Sequence, residues 1–484
     1  MIPPTDSESS APDLLRPPDP ATSRRLFQLG CLGLGLALVA LVHQSPIQDP
    51  ILLTLGSAVL LLGAVPALNW ARRGDAHFPV FEVFMLAGIP FYGISLLAGH
   101  PEVLTFSEGA TLQAAAAILI YQACAIGAFF WTNGQPVRSA LWSGTLLPSS
   151  ALRYAQTGLW LNTGYLYVNG FTDWIPGELR IVTRAVFFGI GTVALFIEMR
   201  RWGDRRLALE EKAVITLNLV AQIILLIREL YLIAGISLAL LALLAYVSSS
   251  RKIPLAVMVV VLPILAVLHN GKSSMRYEYW EQRAPLPNVT ELPGFFEKWI
   301  HYGLSQREHG DEPSSSTLAG RLFERASLFQ MLCLVAERTP DFQPYLAGES
   351  YLQIPAQLIP SFLWPGKPSS LLSNVMLAIH YRLVPEDNPT SVSIAFGMVA
   401  EAYANFGFAG CAGLGLLLGY LYKRVTTAAT GSAQFSALGL LTILLAAWSF
   451  QAEQIFATWF VSLIQAAGVV IGVPMGLRLV FRTE

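Results

Sequence analysis

The chain has 484 residues, 54% hydrophobic and only 13% charged, with a mean hydropathy of +0.52, whereas soluble domains carry roughly 25% charged residues. That composition excludes a soluble globular protein and predicts an all-α, polytopic membrane protein. A net charge of −1 excludes the basic footprint of a nucleic-acid binder, and four scattered cysteines without a C-x-x-C pair give neither a metal site nor a disulfide framework.

In chain order, residues 1–25 hold six prolines among Ser and Asp, too polar for the core of a signal peptide, and predict a disordered cytoplasmic tail. An apolar helix needs about 20 residues to cross the hydrocarbon core. Runs at 26–42, 51–70, 81–98 and 109–131 approach or meet that length, with Arg24-Arg25, Arg72-Arg73 and Arg138 at alternate ends and no Lys or Arg in 100–108. A partly polar run at 154–168 and a clearer one at 181–197 follow, ending on Arg200-Arg201, Arg205, Arg206 and Lys212. Runs at 214–227 and 230–247 form a hairpin with Arg228-Glu229 at its tip, and 253–268 leads into a long hydrophilic interval. Runs at 408–422, 433–450 and 456–477 close the chain, with Lys423-Arg424 and Arg478 between and after them.

Because Lys and Arg collect on the cytoplasmic side, this pattern predicts about twelve transmembrane helices with both termini in the cytoplasm. The long interval then becomes a large outer, periplasmic loop. The division expected is a tail at 1–25, an N-terminal transmembrane bundle at 26–268, the loop with short helices at 269–391, and C-terminal transmembrane helices at 392–484. No internal repeat is evident, which weighs against inverted-repeat transporters.

From Asn270 to Pro389 the interval carries ten cations against thirteen acids, so any anion site in it must be a local cluster. From Leu318 to Arg338 the pattern is helical, with Arg321, Arg325, Leu328 and Leu332 on one face. Two guanidiniums a turn apart can grip a diphosphate; they can equally snorkel at the bilayer edge. Six prolines between Pro340 and Pro368 cut the next stretch into short pieces that lie along the membrane, with Trp364 and Lys367 as interfacial anchors. Lys272 and Arg276 share a helical face just after a span, as ligands or as boundary charges. Arg228-Glu229 interrupts apolar sequence, and ionisable residues near membrane depth are functional candidates or mutual salt bridges. Glu401, before a Gly-rich span, can act as a base or accept a hydrogen bond, and His380 can take a proton near neutral pH or be structural. The chain has no Gly-x-x-x-x-Gly-Lys-Ser/Thr loop, no Asp-x-Asp and no His-Glu-x-x-His, which removes support for nucleotide-driven pumps, metal-bound nucleotide-sugar donors and zinc proteases.

The stretch from Arg325 to Gly407 resembles the oligosaccharide repeat-unit polymerases, the O-antigen polymerase (Wzy-like) proteins of bacterial inner membranes. The resemblance lies in the paired arginines, Gly348-Glu349-Ser350-Tyr351, Ile359-Pro360 with Trp364-Pro365-Gly366-Lys367-Pro368, and Glu401-Ala402-Tyr403-Ala404-Asn405-Phe406-Gly407. Arg228 and Gly271-Lys272 with Arg276 are also similar, while Pro360-Ser361 stands where Pro-Arg is expected. The resemblance implies the architecture of a C-type glycosyltransferase acting at the outer face without metal, nucleotide or other cofactor. Its substrates would be polyprenyl-diphosphate-linked (undecaprenyl-type) oligosaccharides in surface or exopolysaccharide synthesis, with the bilayer, a chain-length regulator and a flippase as partners. Arg321 and Arg325, with Arg228, Lys272 and Arg276 behind them, would stabilise the leaving diphosphate, and Glu401 or His380 would take the acceptor proton. Two rivals remain: a transporter or flippase of the same glycans, and a transpeptidase that would need Cys333 as an outward nucleophile.

Overall fold

The structure, a computed structural model, describes residues 20–74, 77–146, 155–305, 327–359, 363–364, 366–367, 372–384 and 394–481. Among these residues every regular element is helical, apart from one isolated bridge between Thr145 and Ser436. The helices are α1 (Pro20–Gln44), α2 (Pro50–Arg73), α3 (Val80–Leu97), α4 (Glu108–Trp131), α5 (Ala155–Phe171), α6 (Gly177–Gly203), α7 (Leu209–Ile227), α8 (Leu232–Ser250) and α9 (Leu255–Arg276). Within the interval lie α10 (Leu292–Leu304), α11 (Phe329–Arg338) and α12 (Leu372–His380). The chain ends with α13 (Gly397–Ala428), α14 (Ala437–Trp448) and α15 (Phe456–Leu479).

Nine of these are long and apolar enough to cross a membrane among the described residues: α1 to α4, α6, α8, α9, α13 and α15. The other three expected spans are also helices but fall short for separate reasons. α5 has 17 residues and is interrupted by Asn162, Thr163 and Asn169. α7 carries Glu210, Glu211 and Lys212 in its first turn. α14 has 12 residues, about 18 Å of helix against a hydrocarbon core of about 30 Å, and is buried along its whole length.

α2, α3, α4 and α13 pack as one group and α5 to α8 as another, with α14 and α15 against α6. The closest pairing is α4 with α13, where a Cβ on Gly419 would stand 2.1 Å from the Ala125 carbonyl oxygen and one on Gly415 2.4 Å from that of Tyr121. Glycine at those two positions is what lets the backbones touch. α9 presents Val257, Val259, Val260, Leu262 and Ile264 outward, the composition of a lipid-facing surface.

Loop contacts sort the ends of the bundle into two faces. On one, Val137 N donates to Ala428 O, Leu146 N to Phe435 O, Arg478 Nη1 to Thr145 O and Ser249 Oγ to Arg200 O. On the other, Ser107 N donates to Glu337, Arg228 to Pro287 O and Gly170 O, Arg276 to Leu230 O, and Ser237 to Phe450 O. The interval therefore shares its face with the tips of α5, α7/α8 and α14/α15.

The interval does not simply lie on that face. Leu328 N donates to Phe91 O inside α3, and α11 rises from there with Leu328, Phe329, Leu332 and Cys333 buried. A second half-helix is hidden in α13. Its 32 residues would make about 48 Å if straight, but Phe406 and Gly407 are non-helical, Gly407 at φ 59° and ψ −140°. Cys411 Sγ lies 3.7 Å from Val399 O, and a Cβ on Gly410 would sit 2.1 Å from Ala402 O. Residues eight apart in a continuous helix are about 12 Å apart along the axis, so residues 397–405 fold back along the start of the span.

Candidate functional site

The fold-back brings together two of the sequence motifs. Glu401 is fully buried; its Oε1 accepts from Ser350 Oγ at 3.0 Å and its Oε2 from Phe456 N at 2.6 Å. Phe456 is the first residue of α15, so the carboxyl group meets one of the helix N–H groups that lack an intrahelical partner. Asn405 completes the tie: its Nδ2 donates to Ser350 Oγ (2.8 Å) and Glu401 O (2.8 Å), and its Oδ1 accepts from Gly348 N (2.9 Å). Ser373 Oγ, at the start of α12, donates to Ser350 O (2.9 Å). Glu401, Ser350, Asn405 and Ser373 are all fully buried, and every group in this set has a partner. Tyr351 packs against Phe406 and Phe456, and burial with Glu401 nearby pushes its hydroxyl above the ordinary range.

His380 stands at the other end of α12, seven residues from Ser373, or about 10 Å along the axis. Its Nε2 is 3.0 Å from Pro344 O. A carbonyl only accepts, so Nε2 carries the proton and Nδ1 keeps its lone pair in the neutral ring. No hydrogen bond joins His380 to Glu401 among the described residues, so the structure does not assemble them as a pair.

The cations gather at the tips of α7, α8 and α9. Arg228 is buried; its Nε donates to Pro287 O (2.8 Å) and Nη1 to Gly170 O (2.9 Å), and the guanidinium lies 4.3 Å from the Phe171 ring centroid. Burial lowers its pKa from the ordinary arginine value, with Glu229 opposing. Arg276 donates to Leu230 O (3.1 Å) from Nη2 and stacks 4.1 Å over Trp280 and 6.0 Å over Tyr231. Its Nε is buried without a hydrogen-bond partner among the described residues. Arg228 thus ties the 228–231 turn to Gly170 and Pro287, and Arg276 holds the same turn at Leu230.

Lys272, one turn before Arg276, acts with it on the Glu453 carboxyl, which burial pushes above its ordinary value while the two cations oppose. Glu453 had no place in the sequence reading; its signal was a lone acid in Gln451-Ala452-Glu453-Gln454 between two apolar runs. Tyr231, Trp280, Ser350 and Asn405 also gain roles that spacing alone does not give. The 449–455 loop links the two clusters, since Lys272 and Arg276 act electrostatically on Glu453 while Phe456, three residues on, holds Glu401.

Arg321 and Arg325 lie outside the described residues. Lys367 donates to Ile359 O and, at 3.3 Å, to Gln357 O; it closes the C-terminal carbonyls of the short helix Ile354–Leu358, and burial lowers its pKa. Cys333 is fully buried in α11, where burial raises its thiol, opposite to what an outward nucleophile requires. No group of three or more His, Cys, Asp or Glu placed to hold a metal occurs among the described residues.

A family model described as a domain of unknown function, DUF8712, matches residues 168–454, more than half of the chain. That span runs from the end of α5 to the loop that carries Glu453, and encloses Gly170, Arg228, Lys272, Arg276, Ser350, Glu401 and Glu453. No curated protein and no solved structure matches the chain.

Proposed function

The chain belongs to the DUF8712 family, and we propose that it is a multi-pass membrane glycosyltransferase that polymerises polyprenyl-diphosphate-linked oligosaccharide units. The observation that carries the reading is the pairing of a lipid-facing bundle with one elaborate polar face. There, cations at Arg228, Lys272 and Arg276 stand beside an interval locked into the bundle by Glu401, Ser350 and Asn405. A substrate with a long apolar tail and a charged, sugar-bearing head needs both parts.

In this reaction the acceptor hydroxyl oxygen bonds to the anomeric carbon of the donor glycan, the carbon–oxygen bond to the diphosphate breaks, and the diphosphate leaves with the electron pair. Fixed cations stabilise the leaving charge; Arg321 and Arg325 serve here with Lys272, Arg276 and Arg228. Of the two candidate bases, His380 has a ring nitrogen open among the described residues, whereas both Glu401 oxygens already hold donors. His380 therefore takes the acceptor proton and Glu401 positions the 348–352 segment. The faces fit a bacterial inner membrane, with the end bearing Arg72-Arg73, Arg200-Arg201 and Lys423-Arg424 in the cytoplasm, both termini inside, and the interval in the periplasm.

The test is purified protein in vesicles with a lipid-linked repeat unit and no energy source. Longer glycans, lost in Arg321→Lys and Arg325→Lys at unchanged protein level, support the polymerase. Movement of the unit across the bilayer without chain growth identifies a flippase instead. A normal polysaccharide ladder from both arginine variants removes the diphosphate clamp.

A further inference from the structure

Two half-helices begin beside a break in α3. Pro90 has no N–H to give, and residues 90–94 form a π-turn. Leu328 N, just before α11, donates to Phe91 O at 3.2 Å. A Cβ on Gly397, the first residue of α13, would lie 3.0 Å from Leu328 Cδ1 and 3.2 Å from the Tyr92 hydroxyl oxygen. At about 1.5 Å per residue, α11 and residues 397–405 each rise about 13–15 Å from there to the face that carries the interval, half of a hydrocarbon core of about 30 Å.

The two starts are closed differently. Ser327 Oγ accepts from Gln330 N at 3.2 Å and caps α11. Phe396, the residue before the second half-helix, has no side-chain acceptor to offer. The Tyr92 hydroxyl takes the Val399 N–H, which leaves the N–H groups of Gly397 and Met398 without an acceptor among the described residues. Met398 and Val399 line a cavity of about 40 Å³ together with Gly88, Tyr92, Tyr121 and Gln122. Gln122 is only 4% exposed; its Nε2 donates to Val59 O at 3.1 Å, and its Oε1 has no donor among the described residues. Reversing the amide would set Oε1 against the Val59 carbonyl, so the unmet atom is an acceptor.

We propose that this cavity is a water site at the centre of the bilayer, in which ordered water accepts from the Met398 N–H and donates to Gln122 Oε1. The ligand must do both, which selects water. A bare anion has no hydrogen for Oε1; a cation finds no carboxylate in the lining and faces the positive end of a helix dipole. One water needs about 10–15 Å³ and two to four polar partners, so the cavity holds about two or three, with the Tyr92 and Tyr121 hydroxyls completing the set. A helix can stop at membrane depth only where protein or water meets its backbone. Water closes the half-helix at its N-terminal end, as residues 346–348 close it at the other. Because that half-helix carries Glu401, the water keeps in register the carboxyl group that ties down Ser350. This goes beyond the glycosyltransferase reading and holds whatever the bundle acts on.

The experiment uses the full chain, isotope-labelled at the methionine amides, in phosphatidylcholine vesicles, and reads the transfer of magnetisation from water to each amide by solid-state NMR. Met398, assigned by its loss in Met398→Leu, should receive it several times faster than Met258, whose neighbours Val257 and Val259 face lipid. Gln122→Leu removes the acceptor and should bring Met398 down to the Met258 rate. Equal rates in the wild type, or a Met398 rate that Gln122→Leu leaves unchanged, overturn the proposal. So does a Met398 resonance that moves when chloride is replaced by bromide or nitrate, the mark of a bound anion. Gly88→Ala tests the cavity without touching a hydrogen-bonding group, and carries the test should Gln122→Leu not fold. Its Cβ would lie 3.8 Å from Tyr92 Cδ2, an ordinary contact, and alanine is the better helix former. In a dry cavity the added methyl would raise the midpoint of SDS-induced unfolding. By displacing a bonded water it should instead lower the midpoint and slow the transfer to Met398; a raised or unchanged midpoint overturns the proposal.

Discussion

Replacing Glu401 by Gln keeps the size of the side chain and removes one acceptor. The carboxyl group meets two donors, Ser350 Oγ–H and Phe456 N–H; an amide has one oxygen and an NH2 group, so with the oxygen on Phe456 N–H the NH2 meets Ser350 Oγ as an acceptor and the Ser350 proton loses its partner. Leaving a buried polar group unmet costs about 1–3 kcal/mol, and hydrogen bonds between membrane helices measure about 0.6 kcal/mol on average and up to about 1.7. The expected loss is therefore about 1–3 kcal/mol, read as a lower midpoint of SDS-induced unfolding. Ser350→Ala should cost about 1 kcal/mol by itself. Because Ser350 donates to Glu401 while accepting from Asn405, the double variant should lose less than the sum, with a coupling of roughly 0.5 kcal/mol or more. A second readout follows from the geometry: cleavage of the 346–352 segment by added protease should rise in Glu401→Gln, since that segment is held by Glu401 and Asn405. Additive effects together with wild-type protease resistance would refute the claim that Glu401 is the tie.

Three further outcomes are expected. Gly419→Leu places a side chain where Ala125 O stands 2.1 Å from a Cβ, so α4 and α13 must part, and the variant should fail to fold or lose several kcal/mol; Gly413→Leu on the same helix, with nothing near its Cβ, should be close to neutral in the same unfolding assay. Arg228→Lys should lose at least one of the carbonyl contacts to Gly170 and Pro287, about 1.5–3 kcal/mol for a bond to a charged group, with partial rescue relative to Arg228→Ala; equal stability of all three would show that the turn does not depend on the guanidinium. Glu453 gives a pH dependence: its folded pKa is raised above the ordinary 4.5 by burial, with Lys272 and Arg276 opposing, so the folded state binds the extra proton. Its penalty is then complete above the folded pKa and disappears as pH falls toward the unfolded value. SDS resistance of the wild type should rise across that window, and Glu453→Gln should flatten the rise.

The helices that form the bundle were readable because each is an apolar run of near-bilayer length, a property of local composition. What composition could not give was the use of those helices. The run at 408–422 was visible, but Gly397 to Phe406 reads as its uninterrupted extension, and the break depends on Gly407 adopting a backbone conformation that only glycine tolerates. Gly348-Glu349-Ser350-Tyr351 and Glu401 to Gly407 read as two separate motifs of the resemblance, only the second of them open to a catalytic role, through Glu401. The fold supplies a physical reason for both.

A half-helix that ends inside a bundle leaves carbonyl groups with no water to satisfy them. Leu346 N and Ala347 N donate to Ala404 O and Asn405 O, and Gly348 N donates to the Asn405 side chain. Gly348, at φ 94°, turns the chain so that Ser350 can reach Glu401. The first motif is thus the C-terminal closure of the half-helix that carries the second, and Glu401 extends the closure to the start of α15. If this is why the two motifs occur together, Asn405→Asp should be tolerated poorly, because an ionised carboxylate has no N–H to give Ser350 Oγ and Glu401 O, while Asn405→Gln should fail by length alone. Wild-type stability of Asn405→Asp at neutral pH would refute the closure and return Glu401 to the candidate bases.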